Sequence, residues 1–506
     1  MVQQSRQGLD YALGWFDTGN IAFQNIPVPL TRPEPWRFAV AAYDYDLIVI
    51  GSGPAGQRAA IQAAKLDKSV AVLERLPMLG GVDVNTGTAS KTLREAVLHL
   101  TGFRERNIYG DSYSVKQHIT MGDLMVRTGY VMQQQVDMLR VHFLTNQVEM
   151  INAEGSFVDH HTINLSLPDS RLNRAITSDK VIIAVGSLST TPPIVHVDGR
   201  LIFVSDDVLN LPNIPRSLTV VGGGAIGLEY CSTFAALGVR VTLVDRNPRL
   251  LQFADDEIVD TLVYHLRQNG VTLRLNENVN DIEYLRDHRG DRVRVLLESG
   301  KQIISDSVMY CVGRTGNTAN LNLEAAGIQV DERGRISIDD NYQTCVEGIY
   351  AVGGVIGFPD LTSTSRMQGR LAACHAFEEP IKRFPDLFPY TVRTIPELAM
   401  IGKTESQLTD AGVSYEIGKA NYQETMSSVM QGDNAGMLKL LFDTESRKIL
   451  GVHILGEDAA ELIHIGQAVM AHGGTVDYFT EAVISYPSLA ECYATAALNG
   501  INRLDP

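Results

Sequence analysis

Two stretches of the chain repeat one order of apolar and polar residues. In each stretch an apolar run leads into a glycine-rich turn, then a segment of helical composition, then a second apolar run that ends in an acid. The first copy opens at residues 45–50 (YDLIVI) and the second at 218–221 (LTVV). Short apolar runs bounded by glycine are typical of buried strands. Each stretch therefore predicts a β-α-β unit.

The rest of the pattern divides the chain into domains. Helices are predicted from about Ser90 to Phe103 and from Met121 to about His142, and strands that end in glycine turns recur near residues 180–186, 310–313 and 348–353. Prolines punctuate residues 192–215, as expected of a linker into an inserted domain. We predict an N-terminal tail (1–43), a first nucleotide-binding domain in two segments (44–200 and 312–387), an inserted second one (201–311) and a C-terminal domain (388–506).

The glycine-rich turns have the spacing that binds dinucleotides. They are Gly51, Gly53 and Gly56 in the first copy and Gly222, Gly224 and Gly227 in the second. The first glycine permits a sharp turn, the second lets a pyrophosphate approach the backbone, and the third lets helix and strand pack closely. Glu74 and Asp245 each follow the first glycine of their copy by 23 residues, where a carboxylate can bind ribose hydroxyls. Two dinucleotide sites are predicted.

Composition narrows the class of protein. The chain has 506 residues, 44% of them hydrophobic, and a formal charge of −16, which argues against a nucleic-acid partner. No apolar stretch approaches the ~20 residues that span a bilayer, and the start lacks the features of a secretory signal, so we expect no membrane partner and a cytoplasmic protein. The five dispersed cysteines predict free buried thiols. No histidine grouping has metal-ligand spacing, and no metal site is predicted.

Several separated blocks resemble one family of proteins. They are 80–97 (GGVDVNTGTASKTLREAV), 313–318 (GRTGNT), 350–353 (YAVG), 394–397 (TIPE), 402–405 (GKTE), 461–468 (ELIHIGQA) and 496–500 (AALNG). With the two fingerprints they resemble the two-dinucleotide flavoproteins, the group of dihydrolipoamide dehydrogenase and glutathione reductase. Within that family the chain is most similar to the soluble pyridine nucleotide transhydrogenases, and the similarity runs from Tyr45 to Leu504.

The resemblance implies an α/β fold with two Rossmann-like dinucleotide-binding domains, the second inserted in the first, and a C-terminal α+β dimerisation domain. It places FAD at the first fingerprint and NAD(P) at the second, and it implies a homodimer that uses NADPH and NAD as substrates. Besides the six glycines and two acids, the implied cofactor-binding residues are Arg75, Gly80, Gly81, Asp83, Thr88, Lys91, Gly186, Arg246, Gly313, Gly353 and Gly354.

The chain departs from the family in its redox segment. Disulfide reductases carry two cysteines here, separated by four residues, and this chain has Asp83 and Thr88 at those positions. No dithiol can form, so this route of disulfide reduction is excluded. Transhydrogenases also have threonine at the second position, but they usually keep the first cysteine. Asp83 either lies beside the flavin ring, where an unpaired carboxylate costs binding energy, or caps a helix or faces water.

Two further departures concern the flavin. The segment before Lys91 is one residue shorter than the family pattern, which could turn the following helix by ~100° and displace Lys91 from the flavin's reactive edge. Gly354 replaces an aspartate that in the family holds a hydroxyl of the FAD ribityl chain. Losing that acceptor costs ~1.5 to 3 kcal/mol, so we expect weakened FAD binding and a gain from Gly354→Asp.

The candidate catalytic residues are Lys91, Tyr486 and Glu491. Disulfide reductases have a histidine as acid and base where this chain has Tyr486, and a tyrosine cannot do that work near neutral pH. Hydride transfer needs orientation more than a titrating base, so the change suits a transhydrogenase. The alternative is that Tyr486 only contributes to an interface.

The sequence leaves the preferred nicotinamide open. Asp245 favours NAD, whereas Arg246 and Arg249 could neutralise the 2′-phosphate of NADP or be solvated surface. The leading hypothesis is an FAD-dependent transhydrogenase that moves hydride between NADPH and NAD. The alternatives are an NAD(P)H diaphorase or quinone reductase, and a degenerate family member with weak or no FAD that acts as a binding or scaffold protein.

Overall fold

The computed structural model describes residues 42–110, 112–167, 174–191, 194, 196–287, 290–380, 384–433 and 435–504. Apart from its last two residues, the predicted tail (1–43) lies outside the described residues. The unit from Tyr43 onwards carries both fingerprints.

The first sheet contains the two strands that flank the first fingerprint. Its strands are β1 (Tyr45–Ile50), β2 (Val70–Glu74), β3 (Glu149–Asn152), β4 (Glu154–Phe157), β5 (Thr162–Ser166) and β6 (Arg174–Ile183), in the order β3-β2-β1-β6-β5-β4. The helices are α1 (Pro54–Ala64), α2 (Thr88–Thr101), α3 (Arg106–Tyr109) and α4 (Met121–Thr145). Strands β3, β2, β1 and β6 are parallel, so their carboxyl ends share one edge of the sheet. The predicted helices near residues 90–103 and 121–142 are α2 and α4.

The second sheet surrounds the second fingerprint. The next strands are β7 (Ser187–Ser189), β8 (Ile202–Val204), β9 (Ser217–Val221), β10 (Arg240–Asp245), β11 (Thr272–Leu275), β12 (Val279–Asp287), β13 (Gly290–Leu297), β14 (Gln302–Ser305) and β15 (Ser307–Tyr310); the helices are α5 (Ala225–Ala236) and α6 (Asp256–Gln268). A parallel sheet has the order β11-β10-β9-β15-β8, and β12-β13-β14 form an antiparallel one. The strands of the predicted inserted domain thus form sheets of their own.

The chain then returns to the first sheet. Strand β16 (Arg314–Gly316) pairs with β7, and β17 (Ile349–Ala351) joins β6 as the seventh strand of the first sheet. Helix α7 (Thr362–Ala376) crosses α1 so closely that a Cβ at Gly369 would lie 2.0 Å from the carbonyl oxygen of Ala55. This contact brings the returning segment over the first fingerprint.

The C-terminal region forms an antiparallel sheet of its own. Its strands are β18 (Tyr390–Val392), β19 (Leu398–Gly402), β20 (Tyr415–Asn421), β21 (Met437–Asp443) and β22 (Ile449–Leu455), in the order β18-β19-β22-β21-β20. The helices are α8 (Glu405–Asp410), α9 (Met426–Gln431), α10 (Ala459–Ala471), α11 (Asp477–Glu481) and α12 (Glu491–Leu504). The domain boundaries predicted above remain predictions.

One apolar cluster connects the three regions. It contains Leu93 and Val97 of α2, Leu228 of α5 and Leu398 of β19, each almost fully buried. Since buried apolar surface resists separation, this cluster fixes α2 against α5. Of the helices described, none combines the length and the hydrophobicity needed to cross a lipid bilayer.

The cysteines correct one prediction. All five are free, and Cys231, Cys374 and Cys492 are buried as expected. Cys311 is partly exposed and Cys345 is exposed, so the prediction of buried thiols is wrong for Cys345. That residue lies just ahead of β17, in a loop that the hydrophobic pattern does not mark as interior.

Candidate functional site

The two glycine turns have the same geometry. Gly51 and Gly222 adopt φ values of +108° and +106°, which strain any side chain. A Cβ at the third glycine, Gly56 or Gly227, would lie 1.9 or 2.0 Å from the carbonyl oxygen of the first. The first and third glycines of both copies are therefore required by the turn itself.

The second glycine of each copy differs from the other two, because a side chain at this position would enter open space. A Cβ on Gly224 would meet no atom within 4 Å, and one on Gly53 would meet only the carbonyl oxygen of Ala184 at 4.0 Å. Helices α1 and α5 begin just beyond these glycines and carry no acidic residue in their first turns. A free helix N-terminus facing open space suits a phosphate group. Both turns fit a pyrophosphate.

The acids at the ends of β2 and β10 bond back to the turns. The backbone N–H of Ser52 donates to Glu74 Oε2 (3.2 Å), and that of Gly223 donates to Asp245 Oδ2 (2.5 Å). Each carboxylate also accepts an N–H two residues further along, from Leu76 or Asn247. These bonds hold each carboxylate beside its glycine turn, where a ribose would lie.

Ser52 is a residue that the motif leaves unspecified. Its hydroxyl donates to Glu74 Oε2 (2.7 Å) and accepts from the backbone N–H of Gly80 (2.8 Å), and the side chain is fully buried. A Cβ on Gly81 would lie 2.9 Å from Cα of Gly53. The segment that starts at Gly80 and Gly81 is thereby fixed against the first fingerprint.

Asp83 is buried and paired. It opens a π-helical segment, Asp83–Gly87, and its Oδ2 lies 2.6 Å from an Nη of Arg366 in α7. Because Asp83 is buried, the structure argues against a side chain that faces water. Because it is paired with Arg366, the structure also argues against an unpaired carboxylate. Thr88 begins α2, and its hydroxyl accepts a hydrogen bond from Gln135 of α4 (3.0 Å).

Lys91 joins the two dinucleotide sites. Its Nζ lies 2.6 Å from Oε2 of Glu229, two residues after the last glycine of the second fingerprint. The other oxygen of Glu229 accepts the backbone N–H of Arg393 from the C-terminal sheet (2.8 Å). Lys91 is thus positioned against the second fingerprint's helix, and Glu229, a residue that the fingerprint does not specify, links α2, α5 and the segment that follows β18.

Two protein-family models match the chain, one over the region of the two dinucleotide-binding sheets and one over the C-terminal sheet. The model described as pyridine nucleotide-disulphide oxidoreductase matches residues 45–369, and that family's dimerisation domain matches residues 388–497. The chain belongs to the pyridine nucleotide-disulphide oxidoreductase family. The predicted family and fold class are confirmed, and with them FAD and NAD(P) as the cofactors.

Relatives of the chain share most of its length. It is 49% identical to the soluble pyridine nucleotide transhydrogenase of Mycobacterium tuberculosis over 91% of this chain and 98% of that protein. It is 41% identical to the protein of the same name from Colwellia psychrerythraea, over 92% and 99%. Among solved structures it is similar to the HOCl-induced flavoprotein disulfide reductase RclA from Escherichia coli (TM-score 0.80, 27% identity, 90% of this chain and 99% of that one). It is also similar to LpdA of M. tuberculosis (TM-score 0.81, 26% identity, 91% and 100%).

Three other predicted glycines lie in turns at strand ends of the oxidoreductase, Gly186 after β6, Gly313 before β16 and Gly353 after β17. Gly186, Gly313 and Gly353 have φ values of +70°, +91° and +78°. The N–H of Gly353 donates to Gln368 Oε1 of α7 (2.9 Å), and a Cβ there would lie 3.2 Å from Cβ of Ala55. Gly353 therefore touches the first fingerprint's helix, as a flavin-site residue should.

Gly354 is crowded by another side chain. A Cβ at this position would lie 2.5 Å from Oδ1 of Asp360 and 2.9 Å from the hydroxyl of Ser187. An aspartate at 354 would collide with that carboxylate and place two like charges together. The structure thus predicts that Gly354→Asp weakens flavin binding, opposite to the expectation from sequence.

The arginines beside the acids are not equivalent. Arg249 pairs with Asp256 (3.0 Å) and Asp260 (3.3 Å) of α6, and Arg75 pairs with Glu154 (3.4 Å). Arg246 is exposed and forms no ion pair with any described residue. Of the two arginines proposed for a 2′-phosphate, Arg246 is the one whose charge is available.

The C-terminal candidates lie elsewhere. Tyr486 is 68% exposed, and Glu491 starts α12 with Oε2 accepting the N–H of Ser488 (3.3 Å). Among the described residues no hydrogen bond or ion pair joins either side chain to Lys91. Within the described part of one chain, the three predicted catalytic side chains are therefore not linked by hydrogen bonds or ion pairs.

A cluster of three carboxylates outside the dinucleotide sites surrounds the ammonium group of a lysine. Asp255, Glu257 and Glu405 present oxygens close enough to hold a cation, and Lys439 Nζ lies among them, 2.7 Å from Asp255 and 3.1 Å from Glu257 and also in contact with Glu405. The ammonium supplies the charge that a metal would. This cluster connects α6 to β21.

Proposed function

We propose that this oxidoreductase is an FAD-dependent pyridine nucleotide transhydrogenase that moves hydride between NADPH and NAD. The observation that carries the proposal is the 2.6 Å contact between Lys91 and Glu229, because it joins the segment beside the first fingerprint to the helix that begins the second. FAD supplies the chemistry of accepting hydride from one nicotinamide and returning it to another. The names of the relatives from M. tuberculosis and Colwellia psychrerythraea support the same reaction.

The protein's residues would divide the work as follows. The turn Gly51–Gly56 and Glu74 would hold FAD, and the turn Gly222–Gly227 and Asp245 would hold the nicotinamide dinucleotides in turn. Lys91, oriented by Glu229, would fix the distance between the two cofactors. Orientation is the main requirement for hydride transfer, so no group needs to titrate.

We also propose that the protein does not reduce disulfides. No cysteine precedes Cys231, and the positions that carry the redox pair in disulfide reductases are Asp83 and Thr88. Asp83 is paired with Arg366, so its carboxylate carries a counter-charge. The protein would act as a homodimer, as its match to a dimerisation domain supports. It would work in the cytoplasm.

A purified sample tests the proposal. We expect bound flavin in the visible spectrum, bleaching by NADPH without air, and steady reduction of thio-NAD by NADPH. Glutathione disulfide and lipoamide should not be reduced. Faster turnover with quinones than with thio-NAD would favour the diaphorase, and a protein that binds no flavin even with excess FAD would favour the scaffold.

A further inference from the structure

The chain departs from its family at Gly354 and Asp83, and the segment 360–366 supplies a partner for each of them. Gly354 faces the carboxylate of Asp360, and Asp83 faces the guanidinium of Arg366. Asp360 precedes α7 by two residues, and Arg366 lies in the second turn of the same helix. One short segment therefore supplies both groups.

The position of the Asp360 carboxylate is defined by neighbouring polar groups. Its Oδ2 accepts a hydrogen bond from Ser187 Oγ (2.8 Å) and lies 3.6 Å from Nε of Arg314. Arg314 Nε also donates to the same Ser187 hydroxyl (2.8 Å), and an Nη donates to the Ser187 carbonyl (2.6 Å). Strands β7 and β16, which carry these two residues, thus orient the carboxylate.

The other carboxylate oxygen remains available. Asp360 Oδ1 accepts no hydrogen bond from the described residues, and the side chain is 37% exposed. It is this oxygen that lies 2.5 Å from where a Cβ of residue 354 would be. A carboxylate with one fixed and one free oxygen is suited to accept a hydrogen bond from an alcohol.

The Asp360 carboxylate lies next to a turn that packs on the first fingerprint. Gly353, next to Gly354, contacts Ala55 of α1, and a Cβ on Gly87 would lie 3.8 Å from Thr362 Oγ1 at the start of α7. Asp360 is thus placed between the turn that ends β17 and the redox segment, both of which pack on the first fingerprint. These surroundings fit a cofactor that carries a polyol chain.

We propose that Asp360 is a flavin-binding residue that accepts a hydrogen bond from a hydroxyl of the FAD polyol chain, in place of a side chain at Gly354. This inference rests on the proposed function, since it needs FAD at the first fingerprint. It explains how the chain compensates for glycine at 354: a carboxylate occupies the same space but comes from six residues further along. The Gly354 backbone is not in the left-handed region, so a side chain there is opposed by crowding from Asp360 and Ser187 and not by backbone strain.

Flavin binding to the apoprotein tests this without turnover. FAD would be removed from the full-length protein and rebound while its fluorescence is followed. We expect Asp360→Ala to bind FAD about 10- to 100-fold more weakly than the wild type, the usual effect of losing a charged acceptor. Asp340→Ala, which removes an exposed aspartate from a turn on the surface, is the matched control and should bind normally.

Two further variants distinguish a local effect on FAD binding from misfolding of the protein. Gly354→Asp alone should weaken FAD binding, and Gly354→Asp combined with Asp360→Ala should bind more tightly than either single variant. Normal FAD affinity in Asp360→Ala, or no rescue in the combined variant, would overturn the inference while leaving the proposed function intact. A wild-type protein that binds no FAD would overturn both.

Discussion

At the scale of single residues, Lys91 is where the two dinucleotide sites meet. Its ion pair with Glu229 is partly exposed, so we expect Lys91→Met to change stability by only about 0 to 1 kcal/mol. Its effect on orientation should be larger, with hydride transfer from NADPH slowed about 10- to 100-fold in stopped-flow bleaching of the flavin.

The control for that experiment is a second lysine in a similar pair. Lys116 lies 2.6 Å from Asp123 and is as exposed as Lys91, but it belongs to the segment before α4. Lys116→Met should leave the bleaching rate unchanged. Equal rates for Lys91→Met and Lys116→Met would show that the Lys91–Glu229 pair has no part in the reaction.

Arg246 is expected to distinguish the two nicotinamides. Arg246 follows Asp245 and forms no ion pair with a described residue, so Arg246→Ala should raise the KM for NADPH about 10- to 100-fold and leave that for NADH nearly constant. Arg249→Ala should have little effect on either, because Asp256 and Asp260 already pair that guanidinium. A larger change in Arg249→Ala than in Arg246→Ala would show that Arg249, and not Arg246, binds the 2′-phosphate.

The same residues show what could be read from the sequence. The glycines and acids of both fingerprints were identified because their chemistry depends on spacing within one β-α-β unit. Glu229 could not be assigned to Lys91, which is 138 residues away, since the pattern does not say which helices pack together. Asp360 was missed for a different reason: it lies only six residues from Gly354, but its approach depends on how the loop before α7 folds.

At the scale of elements, Lys439 connects β21 to α6. Its side chain is fully buried among Asp255, Glu257 and Glu405. Lys439→Ala would leave the buried Asp255 carboxylate without its cation and should cost about 3 to 5 kcal/mol of stability. Lys419→Ala removes a partly exposed lysine 2.6 Å from the same Glu257 and should cost about 0 to 1 kcal/mol. Urea unfolding followed by circular dichroism would compare them, and equal losses would contradict the assignment.

The cluster also predicts a pH dependence. Burial raises the pKa of the Asp255 carboxyl, but the electrostatic interaction with His453 and the hydrogen bond and charge of Lys439 outweigh it and hold the pKa below its ordinary value; since burial lowers the pKa of His453 itself, Lys439 is the cation that acts near neutral pH. A carboxyl with a lowered pKa stabilises the folded state above its unfolded value of about 4 and loses that contribution as the pH falls. The difference in melting temperature between wild type and Lys439→Ala should therefore be largest near neutral pH and narrow toward pH 3. A constant difference would show that Asp255 is not coupled to Lys439.

At the scale of the whole molecule, the fold was predictable because the pattern occurs twice. Each fingerprint predicts its own parallel sheet, and the return to the first sheet followed from strands that end in glycine turns. The arrangement of the sheets was not predictable in the same way. It depends on the apolar cluster shared by α2, α5 and β19, whose members are far apart in sequence.

The predicted homodimer assigns a role to the exposed C-terminal surface. Val483 is fully exposed and Tyr486 is 68% exposed, both within the region that matches the dimerisation domain. Burial of such residues against a second copy would stabilise a dimer, so Val483→Asp should shift the protein toward monomer in light scattering after size exclusion. Val413→Asp, at a less exposed valine of the same region, should remain dimeric. Because Tyr486 is 68% exposed and forms no hydrogen bond to Lys91 within the described residues, we expect Tyr486→Phe to keep both the dimer and the bleaching rate. A dimeric Tyr486→Phe with slowed bleaching would instead place its hydroxyl in the partner's site.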